Sequence, residues 1–148
     1  MTPIAAEQLL RLPICFRGID VGHAVDVILD PQGRRALGLD VLCKDEAHRF
    51  LPLMAAQFGE DEITVASALT MLAADALAFY RKRASTLRLL RGAHVQLKGK
   101  DVGRLEDVMV SSNGTIAALI VNGAGGLKSY ELEDTLRITA DPRRVSAA

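Results

Sequence analysis

Apolar and polar positions alternate in short runs over the first 65 residues. Val25 to Leu29 and Ala36 to Val41 are apolar runs flanking Asp30-Pro31-Gln32-Gly33, and together they read as a β-hairpin. Pro31 presets φ at the first central turn position, and Gly33 takes the positive φ that re-enters the ladder. Ahead of the hairpin, Thr2 to Leu12 becomes helix-like around Leu9 and Leu10 until Pro13 stops it. A strand is expected at Ile14 to Arg17, with a turn at Gly18 to Asp20. After a polar loop, Lys44 to Arg49, come the apolar segment Phe50-Leu51-Pro52-Leu53, the acidic turn Gly59-Glu60-Asp61-Glu62 and a short strand, Ile63-Thr64-Val65. Pro52 cannot donate to a ladder, which places it at an edge or a bend. This density of short strands is the pattern of a small barrel.

The period then changes. From Ser67 to about Leu90 there is no Gly or Pro, and Leu69, Leu72, Ala73, Ala76, Leu77 and Tyr80 recur at three and four, which predicts a helix. Arg81, Lys82 and Arg83 fall in a late turn, where cations suit the negative end of the helix dipole. Its apolar face is expected to pack between two barrels rather than to wait for a partner, because bodies this small gain from extra burial.

Strand signals return at His94 to Leu97, and the chain then repeats itself. At an offset of 81, Gly18, Asp20, Val21, Gly22, Asp26, Val27 and Gly33 recur identically as Gly99, Asp101, Val102, Gly103, Asp107, Val108 and Gly114. Such self-similarity marks a duplicated structural unit. Past the turn the offset falls to 80, with Leu39 and Val41 facing Leu119 and Val121, so the second turn is one residue shorter. Asn113-Gly114 suits a tight type I′ hairpin. Phe50 to Leu53 then corresponds to Ser129 to Leu132, and the Ile63 strand to Leu136 to Ile138. Ala24 and Val27, like Leu105 and Val108, are an odd number of residues apart. Strict alternation cannot bury both members of either pair, which predicts a β-bulge at Asp26 and another at Asp107.

Gly22, Val25-Asp26, the Asp30-Pro31-Gln32-Gly33 turn, Gly38-Leu39 and Phe50 to Leu53 together resemble the PRC-barrel family. Its small barrels occur in the photosynthetic reaction-centre H subunit and in a ribosome maturation factor. The second copy keeps Gly103, Asp107, Asn113-Gly114 and Leu119 but has Ala118 in place of Gly38. The resemblance implies a mainly β protein: two tandem PRC-type barrels, at residues 1–66 and 89–140, joined by a helix at 67–88 and followed by a frayed tail at 141–148. The family is one of interaction modules with no common active site, which implies a non-enzymatic adaptor without a cofactor.

The totals restrict the alternatives. Lys+Arg 18 balance Asp+Glu 18, and nothing here is the basic footprint of a nucleic-acid binder. Cys15 and Cys43 are too far apart for a CxxC pair and are expected as buried, reduced thiols. No signal peptide or apolar run long enough to cross a membrane is seen, so a cytoplasmic location is expected. Asp26 and Asp107 invite an acid–base reading, but equivalent slots in separate barrels need not face each other. A structural carboxylate accepting backbone N–H bonds is the stronger expectation. His23, His48 and His94 show no metal-binding spacing. Cys43 and His48 with Asp45 and Glu46 lack a second ligand pair, and Asn122 to Gly126 lacks the Lys and Ser/Thr of a phosphate loop. Arg81, Lys82, Arg83, Arg88 and Arg91 are the one local charge excess. They read either as a solvated helix end or as a contact for ribosomal RNA, an anionic membrane surface or an acidic partner.

Overall fold

The computed structural model describes residues 3–67, 71 and 74–139, without the side chains of residues 74, 75 and 81. The chain is mainly β, its sheets curled into a half-barrel. It opens with β1 (Ile4–Ala5) and a single helical turn, α1 (Ala6–Leu9), followed by β2 (Pro13–Phe16), β3 (Ile19–Leu29), β4 (Ala36–Cys43) and β5 (His48–Pro52). A 3₁₀ turn at Leu53–Ala55 leads into β6 (Ala56–Phe58) and β7 (Ile63–Val65), and then α2 (Ala74–Arg83). The second repeat follows: β8 (Ser85–Thr86), α3 (Leu87–Leu90), β9 (His94–Leu97), β10 (Lys100–Val110), β11 (Ile116–Gly123), β12 (Gly126–Glu131) and β13 (Leu136–Thr139).

Two sheets result. One has the order β5-β4-β3-β2-β7-β6, with β8 added to β3; the other has the order β12-β11-β10-β9-β13, with β1 added to β10. The two added strands have changed places. Ile4 and Ala5 pair with Val110 and Met109, while Ser85 and Thr86, 81 positions on, pair with Leu29 and Ile28. Each repeat therefore contributes its leading strand and helical turn to the sheet of the other. The buried faces merge in one core that draws Leu9, Val27, Leu39 and Leu51 from the first repeat and Leu87, Val108, Leu119 and Leu136 from the second. The segments ahead of β2 and β9 thus pair across the expected boundaries at residues 66 and 89.

The repeated residues build the turns and kinks. Arg17-Gly18 and Lys98-Gly99 have φ of 52° and 79°, and 53° and 81°, the paired positive values of a type I′ turn, joining β2 to β3 and β9 to β10. Asp20 and Asp101 accept the N–H of Gly22 and Gly103 at 3.0 and 2.9 Å. At Gly103, φ is 137° and a Cβ would stand 2.4 Å from the Asn122 carbonyl oxygen, so only glycine lets β10 pass β11 this closely. Both bulges are present: the β3–β4 register slips between Ala24 and Asp26, and the β10–β11 register between Leu105 and Asp107. Ala24, Val27, Leu105 and Val108 are all buried as a result.

Several local expectations are corrected. Asn113 does not take positive φ; Ser111 and Thr115 close a three-residue loop in which Gly114, at φ 90°, restores the ladder. The glycine-rich segment at Asn122 to Gly126, by contrast, is the plain strand connection expected, a two-residue hairpin in which Gly123 pairs with Gly126. The loop at Lys44 to Arg49 shrinks to four residues, since β4 runs to Cys43 and β5 starts at His48. The Ile63 strand and its counterpart meet their neighbours in opposite directions: β7 is parallel to β2, whereas β13 is antiparallel to β9. The cause is β6, an extra strand that reverses the chain before β7 and has no equivalent in the second repeat.

The long helix expected over 67–88 is shorter at both described ends. Residues 68–70, 72 and 73, with the Leu69, Leu72 and Ala73 positions, and the tail at 141–148 lie outside the described residues. At the other end α2 stops at Arg83, because Ser85 and Thr86 are taken into β3's ladder. Nor does α2 sit between the two halves. Leu77 and Tyr80 pack on Ile28 and Phe50 in a small cluster separate from the main core, with the Phe50 and Tyr80 rings stacked 4.3 Å apart. Gly38 permits this, since a Cβ there would come within 2.6 Å of the Phe50 ring.

Candidate functional site

The residues with the most specific geometry are the two repeated aspartates. Asp26 lies 9% exposed at its bulge, and Oδ1 accepts the N–H of Val27 at 2.9 Å and that of Arg88, in the first turn of α3, at 3.2 Å. Asp107, 7% exposed, accepts from Val108 at 2.8 Å and from Glu7, in the first turn of α1, at 3.2 Å. Glu7 and Arg88 are themselves 81 positions apart. Each carboxylate thus holds the helical turn supplied by the other repeat, satisfying N–H groups that have no partner within the turn. Burial pushes both carboxyls above the ordinary carboxylate range, and the donated N–H bonds offset this only in part.

Six further hydrogen bonds, in three pairs, close the clamp. Arg91 donates to Glu7 Oε2 at 2.6 Å and to the Glu106 carbonyl at 3.0 Å. Arg34 donates to the carbonyls of Glu133 and Leu136 at 3.2 and 2.9 Å. The two hairpin turns meet through Ala36 N–H to the Gly114 carbonyl at 2.7 Å and Ile116 N–H to the Arg34 carbonyl at 3.2 Å.

Most side chains that could supply a nucleophile or a metal ligand already have partners. His48 Nδ1 lies 2.9 Å from Asp40 Oδ1, which is 2% exposed, and Asp45 forms a two-pronged pair with Arg49 at 2.9 and 2.8 Å. That bond to Arg49 draws the Asp45 carboxyl down to about 2. Asp45 and His48 therefore do not converge with Cys43. His94 pairs with Asp101 at 2.7 Å, and His23 is exposed on β3. A hydrogen bond to Glu62 and burial push the Cys15 thiol up to about 11, the opposite of what a nucleophilic thiolate needs. Among the described residues no group of three His, Cys, Asp or Glu stands close enough to hold a metal ion.

The described residues of the basic cluster are carried by two elements. Lys82 and Arg83 are exposed at the end of α2, and the chain then turns into β8 before reaching Arg88 and Arg91 on α3's side. Arg91 is committed to the clamp, and Arg88 stands near Asp26. The Arg81 side chain lies outside the described residues. Beside Lys82, Phe79 is 51% exposed with the Arg83 guanidinium carbon 4.3 Å above its ring, a cation–π arrangement on the open face of α2. In the second repeat no helix covers β12, the counterpart of β5, among the described residues, and Leu127 is 62% exposed there.

The clamp does leave a trace in the sequence, ahead of the residues that the repeats share outright. Extending the offset of 81 back from Gly18 sets Leu9 against Leu90 and Glu7 against Arg88, which reveals a leading segment in both repeats. The fold and its clamp define an internally duplicated, mainly β protein whose halves are interlocked. No protein-family model matches the chain, and no curated protein matches it in sequence. Among the described residues no helix is long and apolar enough to cross a membrane.

Proposed function

We propose that this protein is a non-enzymatic adaptor, a tandem PRC-type barrel protein of the cytoplasm. It docks a protein partner, or a membrane-associated complex, through surfaces on which its two repeats differ. One observation carries the reading. The residues that the repeats share are largely taken up by turns, bulges and the clamp, while large side chains that they do not share, Phe79 under Arg83 on α2 and Leu127 on β12, stand exposed at the surface. An exposed aromatic beside two cations is the composition of an interface anchor rather than of a solvated face.

The test compares the parent with Phe79→Ser and Leu127→Ser in affinity capture from the source organism, at low and at high salt. A stoichiometric protein partner that resists salt and is lost with either variant supports the adaptor. Recovery of ribosomal proteins or RNA, released steeply as salt rises, would establish the alternative of a ribosome- or RNA-associated factor acting through Lys82, Arg83 and Arg88.

A further inference from the structure

Among the described residues, and apart from the two-residue strands β1 and β8, four strands end the two sheets, and three of them carry a device that discourages pairing with another chain. The edge strand β5 is covered by α2 and holds Arg49 and Pro52; β12 carries Lys128 and Glu131; β13 carries Arg137. Charges, prolines and covering helices are the usual protection of sheet edges. The fourth, β6, is Ala56-Gln57-Phe58 and has none of them among the described residues. Among the described residues it is also the one strand of the first repeat without a counterpart in the second.

The hydrogen-bond phase of β6 follows from its hairpin. Gly59 N–H bonds the Glu62 carbonyl at 2.9 Å, so Gly59 and Glu62 form a hydrogen-bonded pair, Phe58 and Ile63 a non-bonded one, and Gln57 and Thr64 a bonded one. The N–H and C=O of Phe58 and the C=O of Ala56 therefore point away from β7, while the Ala56 N–H closes the preceding 3₁₀ turn on Leu53. All three β6 residues line a cleft of about 810 Å³ whose other walls include Pro3 and Ile4 of the β1 segment, Gln8 of α1 and Ser112 of the β10–β11 turn. Glu60 stands at one end of the cleft and makes no ion pair among the described residues.

We propose that this cleft binds an extended peptide segment of a partner, which adds to β6 as an antiparallel strand. One peptide residue exchanges two hydrogen bonds with Phe58, and a later N–H donates to the Ala56 carbonyl. Main-chain bonds supply affinity and the pockets between them select side chains. The half-buried Phe58 and Ile4 favour an apolar side chain at the residue opposite Phe58. Because β6 runs toward Glu60, an antiparallel peptide places its N-terminal part there, and a Lys or Arg at that end complements the carboxylate. This extends the adaptor reading to a named site and partner chemistry.

The experiment pans a displayed library of random octapeptides against the full chain and measures amide hydrogen exchange with and without the enriched peptides. Enrichment of sequences with a basic residue ahead of an apolar one is expected, with exchange at Phe58 N–H slowed at least tenfold and exchange at Gln57 little changed. Ser112→Trp, which fills the cleft from an exposed turn, is expected to weaken binding at least tenfold while melting like the parent. Phe58→Pro, which removes the outward donor and leaves the bonds to Thr64, is expected to weaken it as well. Peptides that protect residues elsewhere, or that bind the Ser112→Trp protein unchanged, would overturn this site and leave the adaptor reading standing. A library that yields no binder would also overturn it, whereas the adaptor reading stands or falls on the capture experiment.

Discussion

The Asp107 carboxylate holds the main-chain N–H of Glu7 at 3.2 Å across 100 positions of the chain. Its counterpart Asp26 does the same for Arg88. A buried carboxylate that caps a donated helical turn contributes about 1–2 kcal/mol. Asp107→Ala and Asp26→Ala are each expected to lose that much in urea unfolding. The Asn variants keep an acceptor oxygen and are expected to lose less than half of it. Equal losses for Ala and Asn would show that the charge, not the capping bond, matters.

The same two groups set a pH dependence. Their carboxyls are raised by burial, so the folded chain binds these protons more tightly than the unfolded one. Their contribution is then most favourable below the ordinary carboxylate value of about 4 and declines as pH rises through the interval up to the raised native value, flat beyond it. Asp45 acts in the opposite direction: drawn down to about 2, it adds stability above about pH 4 that is lost on further acidification. Unfolding followed from pH 7 to 4.5 should show the first trend in the parent and a flatter line in the Asp26→Asn, Asp107→Asn double variant. An unchanged slope would remove these carboxyls as its source.

Glycine positions separate strain from crowding. Gly99 has φ 81° and open space where a Cβ would stand, whereas Gly103 has φ 137° and the Asn122 carbonyl oxygen 2.4 Å from that point. Gly99→Ala is expected to cost about 1–2 kcal/mol from the left-handed backbone alone. Gly103→Ala should cost clearly more, because β10 and β11 must part to admit the methyl group. Similar melting temperatures for the two variants would contradict the close crossing.

The small cluster beneath α2 should behave as a satellite. Leu77→Ala removes a buried side chain and is expected to cost about 2–3 kcal/mol. The loss should appear first as faster amide exchange in α2 and at Phe50, with β10 and β11 protected as in the parent. Uniform loss of protection across both sheets would place Leu77 in the main core.

Much of this fold is legible in the chain itself. Turns, the duplication and both bulges announce themselves through residues that only a few backbone states accept: Gly33 at φ 70°, and Ala24 and Val27, whose parity demands an extra residue. What stays hidden depends on contacts distant in sequence. Thr86 reads as helix interior by period, yet its backbone is extended, because Ile28 offers a ladder partner 58 positions earlier and its own hydroxyl accepts the Leu89 N–H. The basic run from Arg81 to Arg91 looks continuous only along a helix, and the β8 turn divides it. Arg91 pairs with Glu7, 84 residues away, which no local pattern encodes.

The interlocking of the repeats is tested most directly by cutting the chain between Ser67 and Ala74 and preparing the two fragments separately. Each fragment lacks the leading strand and helical turn that complete its sheet, so each alone is expected to be largely unfolded. Mixed at equal concentration they should form a 1:1 complex that melts cooperatively, with Asp26→Ala or Asp107→Ala weakening association. Two fragments that fold alone and ignore each other would contradict the exchange of segments on which the rest depends.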